Sequence, residues 1–479
     1  FSDFWQTAAA KRQARRHYAA PPGPDAPPLP PESLRFVLTT ETPLGGFVVP
    51  VLAVHSIEVN GTRIQLFSNA WSCTAPGVFV SEVRNAEGAV MLRLHRHYRL
   101  GENAYDVTLL QSVENLSGVP LEVRWVQYGP GDLPVDRARY IDIRRFHFGY
   151  LASPSRDPSQ SIVLTDGQMV NTSKVVSQVE DGDDMLWPNP ASKQGGFTLS
   201  WMGSTNRYFA LAAHPAWAGT GPVPLVLKPV QDIRANVGDV TPVQQQLFTE
   251  FFSPAQSIAP GETGRFDLGV FAGPLDPKIL EHQEPYRSLR LSGLIVYLIS
   301  DCCASCTFGW LANLLLSFLS FLHDYVVFDW GLAIIVLVLI VRALLHPIMK
   351  RSQVQMQRVT RAMAELKPEM EKLQARYKSD PAKLQQEQMR LYREKGVNPV
   401  GCLAGLLPTL LQTPIWIALY AMLYFAFEIW QQPAFFGVFQ LFWGWPFLAD
   451  LSVGDHFFWE FEQPHRILFF TLTGINLLP

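Results

Sequence analysis

WGLAIIVLVLIVRALLHPIMKR, Trp330–Arg351, is an apolar run broken by one arginine, Arg342, and closed by Lys350 and Arg351. A membrane-spanning helix needs roughly 20 predominantly apolar residues, and this stretch supplies them. An arginine inside such a run costs a few kcal/mol or more to insert. It therefore either snorkels to an interface or belongs to a working site. At 1.5 Å per residue it lies roughly 12 Å from Lys350, so both readings stand on this stretch alone. We take residues 326–349 as a transmembrane helix.

A second apolar run, GCLAGLLPTLLQTPIWIALYAMLYFAFEIW (Gly401–Trp430), places another span over 400–430. It contains Pro408, Gln412 and Pro414. Prolines are tolerated in membrane helices where neighbouring groups re-satisfy the backbone, and Pro408 and Pro414 are expected to kink this one. Gln412 follows Pro399 by 13 residues, a depth comparable to that of Arg342. Two polar groups at matching depth favour a hydrated pocket.

Between the two runs, residues 350–395 carry twelve Lys/Arg against six Asp/Glu, whereas 431–465 carry no Lys or Arg. The positive-inside rule assigns 350–399 to the cytoplasm and the chain before residue 326 to the other side. Val359, Met363, Leu366, Met370, Leu373 and Tyr377 recur at alternating steps of four and three, a heptad seam. Pro368 should bend or weaken that helix. Ser379-Asp380-Pro381 ends it and starts another, giving a helical hairpin whose contact residues include Lys350, Arg351, Arg358 and Arg361.

On the N-terminal side, Phe308–Asp324 shows a thin polar stripe of Asn313, Ser317, Ser320 and Asp324. About 16 residues reach only ~24 Å, short of the ~30 Å hydrocarbon core. Residues 286–325 are therefore read as an interfacial amphipathic region, with a short tilted span as the alternative. DPKILEHQEPYRSLRLS (276–292) reads as a short helix leading to the membrane.

Residues 33–285 carry a β signal throughout. Asn60-Gly61 between alternating residues is a type I′ hairpin signature. Val90, Leu92 and Leu94 alternate with Arg93, His95 and His97, and Tyr105 to Val113 alternate likewise. Further strands are expected in FTLSWMG, YFALAAHP, PLVLKPV, QQLFTEFFSP and GRFDLGVFAGP, and no helix is expected before Pro277. So many short strands argue a large sandwich. Residues 1–32 form a juxtamembrane and Pro-rich linker. Its cluster of Lys11, Arg12, Arg15 and Arg16 is either a membrane anchor or a solvated segment.

The 479 residues carry a net charge of −3, with no basic patch for nucleic acid in the β half. Five cysteines make no disulfide framework. Cys302, Cys303 and Cys306 form a lone CxxC-like cluster, a weak metal or redox signal. His95 and His97 share a strand face but find no third ligand. No nucleophile with a base is evident, so no metal, cofactor or enzyme activity is expected. Phe1 and the closing TGINLLP suggest that membrane segments lie beyond both ends, with 431–479 a loop on the outer side, periplasmic by the resemblance drawn next, and the start of another helix.

IVRALLHPIMKRSQVQ, LYREKGVNPVGC and LLPTLLQTPIWIALYAML together resemble the YidC family of membrane protein insertases, related to the Oxa proteins of mitochondria. The family's spacing is kept in Asn398-Pro399, Leu407-Pro408, Gln412-Thr413-Pro414-Ile415 and Ala418-Leu419-Tyr420. ADLSVGD (Ala449–Asp455) resembles the following loop. The resemblance covers about 305–479. It implies a bacterial inner-membrane, multi-pass protein with a periplasmic β-supersandwich and an α-helical insertase core. It further implies a five-helix core around a hydrophilic groove, open to the cytoplasm and inner leaflet, with Arg342 and Gln412 in it. Val338 stands where some relatives carry a hydroxyl residue. The implied function is insertion and folding of membrane proteins, alone or with the Sec translocon. The implied partners are nascent membrane proteins, ribosome or targeting factors, and lipid.

Two other readings remain open from the residues. One is a membrane-anchored periplasmic carbohydrate-binding protein, in which 33–285 binds or converts a sugar. The other is an envelope-assembly protein held by inert spans. The first needs paired acid and base residues in a cleft, which the sequence does not assemble, and inert spans would not explain Arg342, Gln412 and two prolines within apolar runs.

Overall fold

The computed structural model describes residues 8–19, 28–31, 42–44, 47–49, 52–101, 105–133, 143–152, 162–165, 170–237, 247–297, 309–376, 381–394, 401–441, 449–452, 459–467 and 470–475. The chain divides into two compact units. One runs to Val296 and includes the strands at 459–475; the other is Tyr297–Phe457.

The first unit is a sandwich of two antiparallel sheets. The larger has ten described strands. Nine lie in the order Val170–Asn171, Arg145–Leu151, Thr198–Thr205, Phe209–Pro215, Leu268–Pro274, Asp106–Asn115, Val90–Leu100, Val78–Arg84 and Trp71–Ala75, and Thr263–Arg265 joins alongside Asp106–Asn115. The smaller sheet runs Met185–Trp187, Asp232–Val237, Leu247–Phe252, Leu121–Tyr128, Val54–Val59 and Thr62–Gln65, with Gln256–Ile258 beside Leu121–Tyr128. Leu92, Leu94 and Val113 of the first share one core with Ile57, Val123 and Trp125 of the second. Alternation builds this core, because a strand sends every second side chain to one face. The expected turn closes Val54–Val59 onto Thr62–Gln65, with φ of 50° at Asn60 and 79° at Gly61.

The other face of the larger sheet is covered by residues 275–294. Leu280, Tyr286, Leu289, Leu291 and Leu294 pack on Trp201, Ala210, Ala212 and Phe271. Trp201 is fully buried and donates its Nε1–H to Leu289 O at 2.8 Å. With both faces covered, Phe209–Pro215 is buried along its whole length.

Several expectations need correcting here. Helices do precede Pro277: α1 (Ala8–Ala19), α2 (Thr172–Glu180) and α3 (Pro190–Gly195). The side chains of Asn171 and Asn189 accept from Ser173 N and Ser192 N and start the last two. Within residues 276–292 the expected short helix is α4 (Pro277–Leu280), a 3-10 turn begins at Leu291, and the apolar side chains of the segment pack on the sheet. The boundary thus moves from 285 to Val296. Pro224–Val230 forms no strand; prolines at both flanks remove ladder donors. Arg96 is buried despite its charge. The parity of Leu92 and Leu94 carries it inward, where it donates to Leu52 O at 2.6 Å and lies over Tyr98 and Trp71.

The second unit holds α5 (Gly309–Leu322), α6 (Trp330–Arg376), α7 (Pro381–Glu394), α8 (Gly401–Phe425) and the single turn α9 (Val438–Leu441). A π-helical turn, His323–Val327, extends α5. Gly309–Val327 and Trp330–Pro347 are each long and apolar enough to cross a membrane. The interfacial reading of 308–324 therefore rests on its polar stripe, not on its length. Asn313, Ser317 and Asp324 are exposed, and Ala312, Leu315, Leu316, Leu319 and Leu322 are buried. Where the sequence suggested a further membrane helix from residue 466, antiparallel strands occupy Trp459–Ile467 and Phe470–Ile475. A short apolar run alone cannot distinguish helix from strand.

Candidate functional site

The apolar helices α5, α6 and α8 pack on one another. The N-terminus of α6 is anchored by Asp329, 4% exposed. Its Oδ1 accepts from Leu332 N at 2.9 Å, as an N-cap does. The same oxygen accepts from Phe435 N at 3.1 Å, and Oδ2 accepts from Phe436 N at 2.6 Å. One carboxylate thus ties the start of α6 to the turn that follows α8. Gly331 permits the approach, because a Cβ there would fall 2.8 Å from Ala434 Cβ. Beyond that turn, Leu451 N donates to Gln432 O and Ser452 Oγ accepts from Gln431 N. His323 stacks on Trp330 at 4.0 Å, closing the corner between α5 and α6.

Arg342 lies three turns into α6, on an exposed row with Ile335, Leu339 and His346. Ala333 and Leu337 are buried on the opposite side. The guanidinium carbon is 5.6 Å from the centroid of the Trp416 ring. Among the described residues no carboxylate pairs with Arg342. Trp416 follows Gln412 by four residues and precedes Tyr420 by four, so the three share one face of α8. That face is less buried than the Ala418, Leu419, Ala421 and Met422 side. The structure therefore brings Arg342 against the α8 face that carries Gln412. The sequence reading missed Trp416; an aromatic one turn after the only amide of an apolar helix was the available signal.

Pro414 is half-buried, and α8 continues unbroken through Pro408, whose side chain is outside the described residues. The helical hairpin differs in one respect from expectation. The span and the first arm are one helix of 47 residues, continuous through Pro347 and Pro368. One lost helical bond at each proline is outweighed by strong helix formers on both sides, such as AELKPEMEKLQAR. The second arm starts at Pro381 as expected. Leu366 of the seam is buried. Lys350, Arg351 and Arg361 are exposed on α6, and Arg358 is on α6 with its side chain outside the described residues.

The β unit offers other titratable groups. His95 and His97 are partly exposed on one face of Val90–Leu100. Among the described residues no three His, Cys, Asp or Glu converge as a metal site. Cys302, Cys303 and Cys306 lie outside the described residues. His214 is fully enclosed, its Nε2 3.7 Å from Asp106 Oδ2, and Tyr286 Oη donates to the same oxygen at 3.5 Å. Burial raises the Asp106 pKa, against the pull of His214 and Tyr286, and burial lowers that of His214.

Two family models match the chain. Residues 321–474 match the one described as 60Kd inner membrane protein, and residues 82–297 the one described as YidC periplasmic domain. The chain is 30% identical over 267 residues to the membrane protein insertase YidC of Beijerinckia indica, covering 55% of this chain and 38% of that protein. It is 31% identical over 266 residues to the membrane protein insertase YidC of Syntrophus aciditrophicus, covering 56% and 41%. The matches thus span about two fifths of these curated relatives' length. Among solved structures, a galactose mutarotase related enzyme from Lactobacillus acidophilus is 11% identical, with 47% of this chain and 83% of that chain covered and a TM-score of 0.28. An overlap that low carries no argument.

Proposed function

The chain belongs to the YidC family, with its periplasmic β domain and inner-membrane helical region, and on that premise we propose that it inserts integral membrane proteins and helps them fold. The observation that carries the reading is Arg342: a guanidinium within an apolar helix, without a carboxylate partner among the described residues, against the polar face of α8. A permanent charge there attracts an opposite charge strongly, because low dielectric weakens screening. The hydrophilic tail of an incoming protein, acidic above all, enters a hydrated groove open to the cytoplasm and inner leaflet, past Arg342 and Gln412. The substrate's apolar segment then leaves along the lipid-facing side of the spans.

The charge asymmetry between 350–395 and 431–465 supports a cytoplasmic hairpin and a multi-pass inner-membrane protein. Lys350, Arg351, Arg358 and Arg361 are the first contacts for substrate, ribosome or targeting factors. Insertion proceeds alone or with the Sec translocon. It requires no covalent step.

Arg342→Ala tests the reading in cells depleted of the native insertase. Insertion of an acidic-tailed substrate should fall about tenfold, equivalent to ~1.4 kcal/mol of lost attraction, and Arg342→Lys should retain most of it. Full insertion by Arg342→Ala would overturn the groove role.

A further inference from the structure

We infer that Trp416 is the resting partner of Arg342 and sets how acidic a substrate tail must be to engage the groove; this rests on the insertase reading above. The guanidinium lies over the indole ring at 5.6 Å. Tryptophan is the strongest aromatic partner for a cation, and the contact offsets part of the cost of holding Arg342 in an apolar helix. The offset is incomplete. A ring face meets the charge, but it cannot accept the five N–H donors of a guanidinium in their fork geometry. A carboxylate accepts two of them in parallel and forms a shorter, stronger contact. An arriving carboxylate therefore displaces the indole, whereas a neutral amide or hydroxyl gains too little to do so.

The placement of Trp416 gives this exchange a route. Gln412, Trp416 and Tyr420 form one row on α8, with Tyr420 exposed and Gln412 half-buried. A hydrophilic tail lying along that row meets the Gln412 amide, then the guanidinium that Trp416 releases. The ring is left free to pack against the apolar residues that follow the tail. Trp416 is thus a specificity-determining residue. It holds Arg342 in place when no substrate is bound and makes its release conditional on negative charge.

The test uses the full chain in lipid nanodiscs and two synthetic peptides. One carries a short hydrophilic tail with two aspartates, and the other carries asparagines at those positions. Removing the competing ring should strengthen acidic binding. Trp416→Leu should bind the acidic peptide about fivefold more tightly than the parent, a ratio worth ~1 kcal/mol. Trp416→Phe, with a weaker ring of similar shape, should fall between. The asparagine peptide should bind all three alike. If Trp416→Leu loses acidic binding as Arg342→Ala does, the ring merely positions the arginine and the inference is overturned. It is also overturned if Trp416→Leu matches the parent while Arg342→Ala loses its acidic preference, and the groove reading then survives. If Arg342→Ala keeps the parent's acidic preference, the groove reading falls and this inference with it.

Discussion

Replacing Asp329 with alanine removes the carboxylate oxygens that hold Leu332 N, Phe435 N and Phe436 N. Each bond is to a charged acceptor at a nearly buried site, worth about 1.5–3 kcal/mol. The two bonds to the 435–436 turn together place its local opening about 3 kcal/mol higher than without them. Their loss should accelerate amide exchange at Phe435 and Phe436 roughly 100-fold, since 1.4 kcal/mol is a factor of ten. Loss of the cap costs a further ~1 kcal/mol at the first turn of α6. The assay is hydrogen exchange of the full chain in micelles, read by mass spectrometry on the fragment containing these residues.

Asp329→Asn separates the two roles of the carboxylate. Asparagine caps a helix as well as aspartate does, and its oxygen can keep the bonds to Leu332 and Phe435. Its amide nitrogen then faces Phe436 N–H, donor against donor, so exchange should quicken chiefly at Phe436. Gly331→Val approaches the same contact from the other side, because its side chain would collide with Ala434 while Asp329 stays intact. It should also free the turn. If Asp329→Ala leaves exchange at Phe435 and Phe436 within about threefold of the parent, a difference below ~1 kcal/mol, the carboxylate does not hold the two elements together.

Two further predictions concern the β unit. His147 is buried beside Arg145, with its Nε2 2.8 Å from Thr205 Oγ1, and burial followed by Arg145 lowers its pKa from 6.5 to about 3. The folded state thus binds fewer protons than the unfolded state between those values, so stability is full above pH 6.5 and declines as pH falls towards 3. His214 acts with the same sign. The loss by pH 5 should be ~2 kcal/mol from His147, measured by denaturant titration across pH, and His147→Gln should flatten the slope. Gly149→Ala should destabilise the unit by ~1–3 kcal/mol, because a Cβ there would collide with the Trp201 indole. Calorimetry of the full chain should show the β transition lowered.

The parts of the fold governed by local repetition were legible in the sequence. Period-two alternation located Val90–Leu100 and Asp106–Asn115, and the Asn60-Gly61 pair located a hairpin in which both residues adopt positive φ. What failed was decided by packing at long range. Val175, Val176 and Val179 suit a strand, yet α2 forms because Asn171 caps it and Val175 and Val176 are buried. Residues 275–294 look amphipathic enough for a membrane surface, and the larger sheet takes their apolar side instead. The charge of Arg96 suits a surface, yet its place in the alternation with Leu92 and Leu94 carries it inside. In the candidate site, Arg342 and Gln412 stood out because charge and amide are rare in apolar runs. Trp416 did not, since an aromatic there is ordinary; only the packing of α6 on α8 gives it a role.

The continuity of α6 has a mechanical consequence that two separate helices would lack. Asp329 anchors one end, Arg342 follows thirteen residues on, and Arg361 follows another nineteen. Along one helix these spacings are about 20 Å and 28 Å. An unbroken helix resists changes in axial length far more than bending, since each residue is held by its own hydrogen bond. Without a joint, a load on the basic arm would reach Arg342 as rotation or tilt of a rod whose far end is fixed by Asp329. Pro347, five residues after Arg342, lacks one helical bond and is where such a rod bends most easily. Binding at Lys350, Arg351 or Arg361 can then swing the arm while the Arg342–Trp416 geometry stays set from the anchored end. Pro347→Ala stiffens that joint and should couple the two, so that a ligand on the arm alters the exchange of α8 amides near Trp416. In the parent chain the same ligand should leave them unchanged.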